Sequence, residues 1–90
     1  MECGVFHEIR DPEAWQKAVE ADPQFPPEFH LQVFTEAVDK SRALCVWRAP
    51  SADALQEWLD HNFGHAAVNH VFPVDVIISD PLAASDTVEP

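Results

Sequence analysis

Hydrophobic and polar positions along this chain switch between two periods. Cys3–Ile9 is an apolar-rich run suited to a strand, although neither of its faces is cleanly polar. From Asp11 to Ala21 the period becomes helical, with Ala14, Trp15, Ala18 and Val19 on one side. Asp11 suits the N-cap, Pro12 the first helical position, and Glu13 the positive end of the dipole. Asp22-Pro23 closes that helix, and Pro23, Pro26 and Pro27 stiffen the connection that follows. Phe29–Val38 alternates again and predicts a second strand. Asp39-Lys40-Ser41 forms a polar turn, and Arg42–Arg48 returns as a third strand. Ser51 is placed to cap a second helix running to Phe63, whose apolar side carries Leu55, Trp58, Leu59 and Phe63. Gly64 stands where a left-handed C-cap residue would stop that helix. His65–His70 reads as a connector and Val71–Ile78 as the last strand, with Pro73 marking an edge or bulge.

The predicted order is β-α-β-β-α-β, a split βαβ arrangement. The expected fold is therefore α+β and ferredoxin-like, one domain over residues 1–78, with 79–90 as a flexible acidic tail. Both crossover helices land on one face of the sheet, which leaves the other face bare unless something covers it.

The stretch Cys45-Val46-Trp47-Arg48-Ala49-Pro50-Ser51-Ala52-Asp53-Ala54-Leu55-Gln56-Glu57-Trp58-Leu59 has an aromatic strand end, a small-residue turn and an acidic-Ala-Leu helix start. In this it resembles the strand-to-helix crossover of the dimeric α+β barrel superfamily, and Val71-Phe72-Pro73-Val74-Asp75 resembles its final strand. Within that superfamily the chain looks like the small ferredoxin-like proteins of unknown function that include a nickel-binding member. The resemblance implies a homodimer in which two helix-free sheet faces enclose a cavity. Relatives of that fold include monooxygenases, isomerases, cyclases and haem-degrading enzymes, so the fold alone does not choose an activity.

Composition narrows the function classes. Of 90 residues, 47% are hydrophobic, a large share for so small a core, which points to an interface or an apolar pocket. A net charge of −11 repels phosphate backbones and anionic lipid, which argues against nucleic acid and membrane partners. Two cysteines, Cys3 and Cys45, make neither a disulfide framework nor a zinc motif. No secretory leader pattern or membrane-length apolar run is seen, so the expectation is a cytoplasmic protein.

The candidate chemistry rests on five histidines. His61 and His65 are spaced for one helical face, and His70 follows across the connector. The three form a candidate metal site for a transition metal such as Ni or Zn. The plainer reading makes them surface or capping histidines near a helix C-terminus. If Leu31, Val33, Leu44 and Val46 face the helices, then His30, Gln32, Phe34, Cys45 and Trp47 face the open side, with His7 joining them. That set describes a ligand-binding cavity at a homodimer interface, or equally an interface core with hydrogen-bonded histidines. Trp15 and Trp58 are expected in the core, their indole N–H groups needing partners. A cavity His acting as general base would make the chain a cofactor-free monooxygenase, isomerase or cyclase. A non-catalytic structural dimer is the third reading. No flavin, nicotinamide or haem motif is visible.

Overall fold

In the computed structural model, which describes residues 1–21 and 23–77, the local signals at both helix starts are used as expected. The Asp11 side chain accepts from the Ala14 N–H at 3.1 Å, and Ser51 Oγ accepts from the Ala54 N–H at 3.1 Å. The elements in chain order are β1 (Glu2–Ile9), α1 (Pro12–Glu20), β2 (His30–Glu36), β3 (Arg42–Arg48), α2 (Ala52–Phe63) and β4 (Ala67–Pro73). The strands form one sheet in the order β2-β3-β1-β4, and every neighbouring pair is antiparallel. The architecture is α+β and compatible with the ferredoxin-like type. The predicted tail, residues 79–90, lies outside the described residues, as does the end of the expected last strand at Ile78.

Both helices pack on one face of the sheet. Cys3, Val5 and Ile9 of β1, Ala43, Cys45 and Trp47 of β3, and Ala67 of β4 are buried there against Trp15, Leu55, Leu59 and Phe63. Burial of these side chains is the main force holding the layers together, at roughly 1.5–3 kcal/mol for each large one. Gln56 of α2 ties the helix to the free edge of β4. Its Nε2 donates to the Asn69 carbonyl at 2.6 Å, and its Oε1 accepts from the Val71 N–H at 3.1 Å. An otherwise open strand edge is thus closed by a side chain.

Four expectations are corrected. The last strand begins at Ala67 rather than Val71, because its inward positions are Ala67 and Asn69, which no search for an apolar run detects. Gly64 is right-handed, with φ −62, and the left-handed residue is Lys40, φ 64, in the hairpin turn. The faces of β3 are the reverse of those expected: Ala43, Cys45 and Trp47 point to the helices, while Leu44 is 56% exposed. In β2 an irregularity between Leu31 and Val33 resets the alternation, so Leu31 and Phe34 stand opposite the inward Trp47 and Cys45.

Candidate functional site

The inward side chains do not fill the space between sheet and helices. A cavity of about 190 Å³ remains, walled by Trp15 and Val19 of α1, Phe34 of β2, Cys45 and Trp47 of β3, and Phe63 of α2. Phe25, from the proline-rich connection, covers one end. It stacks edge-on against Trp47, ring centroids 5.0 Å apart, and against Trp58 at 5.4 Å. His7 reaches in from β1, 2% exposed, with its ring 5.0 Å from that of Trp15.

His7 is held by a chain of buried polar contacts. Its Nδ1 lies 2.6 Å from Asn69 Oδ1, directly across the β1–β4 pair. The Asn69 amide nitrogen donates to the Leu59 carbonyl at 3.4 Å and to Asp60 Oδ1 at 3.1 Å. Those two donations orient the amide so that Oδ1 must accept from His7, which places the imidazole proton on Nδ1. Burial lowers the His7 pKa, an effect opposed by the Asn69 hydrogen bond, so the ring favours its neutral form. Nε2 keeps its lone pair and has no hydrogen-bond partner among the described residues. His7 thus lines the cavity while its Nδ1 is engaged by β4, which contributes nothing to the cavity wall.

Of the other polar groups, Trp15 is engaged, Cys45 is inert and the Trp47 N–H is left without a partner among the described residues. The Trp15 indole N–H donates to Glu36 at 2.9 Å, and Lys40 binds the second oxygen of Glu36 at 2.7 Å. Lys40 first, and Trp15 second, hold the Glu36 carboxyl below its usual pKa. Burial pushes the Cys45 thiol up to about 12, so it stays protonated and is no nucleophile. The Trp47 indole N–H is buried without a hydrogen-bond partner among the described residues. The cavity therefore offers aromatic walls and one well-oriented base, and one of its wall residues, Trp47, keeps an unpartnered N–H.

Among the residues expected from sequence, His7, Phe34, Cys45 and Trp47 do line one cavity, but beneath the helices rather than on the open face. His30 and Gln32 do not join them. His30 is exposed opposite Arg48, and Gln32 is exposed at the β2 irregularity. His61, His65 and His70 are separated. His61 is exposed in the last turn of α2, and His65 is exposed beyond it, beside Ala18 and Lys17 of α1. His70 lies on the opposite face of the sheet, 2.6 Å from Glu8. Among the described residues no group of three or more His, Cys, Asp or Glu side chains is placed to hold a metal, and no helix is long and apolar enough to cross a membrane. The sequence reading missed Phe25 and Asn69. A lone aromatic between prolines was the available signal for Phe25; Asn69 gave none, because its burial depends on the partner across the sheet. No protein-family model, curated protein or solved structure matches the chain.

Proposed function

We propose that this protein is a homodimer whose subunits each bind a small, largely apolar molecule in the cavity beneath the helices. The carrying observation is the cavity of about 190 Å³ with aromatic walls and a single available base, His7 Nε2. Ligand sites of this kind combine apolar walls with a few convergent polar groups. A cavity of about 150 Å³ with apolar walls takes up benzene, so one aromatic ring with a substituent fits this volume. The dimer reading is supported by the bare face of the sheet. Val33 (47% exposed), Leu44 (56%) and Phe72 (46%) crowd it, and packing two such faces is the dimeric α+β barrel arrangement. The test is a titration with toluene followed by indole fluorescence, with sedimentation equilibrium on the same sample. Saturable change of the Trp15 and Trp47 signal in a dimeric species is expected. An unresponsive signal would remove the cavity as a binding site, and a strict monomer would remove the barrel.

The fixed tautomer of His7 favours a second reading, a cofactor-free enzyme in which Nε2 takes a proton from the bound molecule. Such an enzyme would show a rate that falls as His7 becomes protonated, and His7→Gln would erase that limb.

A further inference from the structure

Resting on the cavity reading above, we infer that the ligand is a neutral, single-ring aromatic molecule of the phenol class, bound with its hydroxyl donating to His7 Nε2. Asn69 claims the only proton of the neutral imidazole, through a contact of 2.6 Å, so His7 can offer the cavity an acceptor and nothing else. A molecule without a donor would dry that lone pair and leave it unpaired, a penalty the ligand must carry. A molecule with a hydroxyl pairs it.

Charge excludes the neighbouring classes. A carboxylate or phenolate would need a cation, and among the described residues none of the lining side chains carries one. The only basic group at the wall is His7, and its burial opposes the protonation that an anion would require. A primary ammonium would find no free carboxylate among the described lining residues, and nearby Glu36 is engaged by Lys40 and Trp15. A neutral hydroxyl on an aromatic ring satisfies the lone pair and packs its ring against Trp15, Phe34, Trp47 and Phe63. The volume of about 190 Å³ then limits the body to one ring with a small substituent.

The experiment compares phenol, anisole and toluene on the wild-type protein by NMR titration, with the imidazole ¹⁵N resonances of His7 recorded alongside. Phenol and anisole share the ring and the oxygen but differ in the donor. Phenol is expected to bind about tenfold more tightly than anisole, and to move the Nε2 resonance where anisole and toluene do not. In His7→Leu the two affinities should become equal. Should that variant fail to fold, the wild-type ¹⁵N comparison decides alone. Equal affinities for phenol and anisole, or an unmoved Nε2 with phenol bound, would overturn the phenol assignment while leaving the cavity as a site. Absence of binding by all three would overturn both.

Discussion

Both faces of the sheet carry large apolar side chains, the bare one among the charged Glu2, Glu8, Arg42 and Arg48, yet the structure uses them in opposite ways. The covered face carries Cys3, Val5, Cys45 and Trp47, all buried, together with the polar pair His7 and Asn69. The bare face carries Val33, Leu44, Val68 and Phe72, all exposed, with Glu8 and His70 paired among them. The difference lies in what covers the apolar groups: the two helices bury them on one face, whereas among the described residues no element covers those on the other. Substitutions should therefore act through folding on one face and through association on the other. The largest expected effect is on the covered side. Leu55 is fully buried, and Leu55→Ala should lower unfolding stability by about 2–5 kcal/mol. Leu44→Ala, on the bare face, should cost the isolated domain about 0.5 kcal/mol or less. Urea denaturation of both at low protein concentration checks the contrast, and equal losses would break it.

The second test attacks the bare face directly. Placing Glu at both Val33 and Leu44 puts two charges in the middle of the proposed interface. Association should weaken at least a hundredfold, about 2.7 kcal/mol, because each charge would be buried without a partner. The domain itself should keep its circular dichroism spectrum, since both positions are 47% and 56% exposed before any association. Sedimentation equilibrium gives the answer. A double variant that associates as well as the wild type would place the dimer contact elsewhere.

That large apolar side chains stand on both faces explains what could be read from the sequence. Element order was legible because capping chemistry and period are local: Asp11, Pro12 and Ser51 announce the helices whatever lies above them. Face assignment was not, because Leu44 and Val46 are no less apolar than Ala43, Cys45 and Trp47. Hydropathy alone therefore does not choose between the two parities, and the β2 irregularity at Leu31/Val33 shifts the alternation once more. The candidate site was half legible for the same reason. His7, Phe34, Cys45 and Trp47, expected together on one face, line one cavity, with Phe34 brought to the inward side by the irregularity between Leu31 and Val33. Which side the helices would take required the helix positions themselves. The start of β4 was hidden because Asn69 reads as a loop residue until His7 stands opposite it.

Asn69 supplies the next test. Asn69→Leu removes the acceptor of the His7 Nδ1–H and the donor to Asp60, and should cost about 1–3 kcal/mol. The pH dependence carries a signature of its own. Burial holds the folded pKa of His7 below its ordinary 6.5. The unfolded chain then binds a proton more readily than the native one, so stability is full above 6.5 and declines as pH falls through the lower folded value. This decline starts above the 4.5 at which an unperturbed Glu36 carboxyl titrates, so it can be separated from acid unfolding by carboxylates. A stability profile that stays flat as pH falls from 6.5 towards 4.5 would show that His7 is not held neutral by its surroundings.

The smallest expected effect belongs to the Glu8–His70 pair on the bare face. The contact is short, 2.6 Å, but both side chains are more than a third exposed, at 40% and 48%. Exposed pairs of this kind contribute little, because water screens them and ordering two side chains costs entropy. The His70 hydrogen bond nonetheless holds the Glu8 carboxyl below its usual pKa, so what stability the pair gives is present above about 4.5 and lost as pH falls through the folded value. Glu8→Gln should leave the melting temperature of the domain at low concentration unchanged within error. At concentrations where two bare faces meet, the pair would be removed from water, and the same substitution should then lower the melting temperature measurably. An effect of Glu8→Gln that does not grow with protein concentration would mean that this part of the bare face stays in water, and that the dimer, if formed, does not cover it.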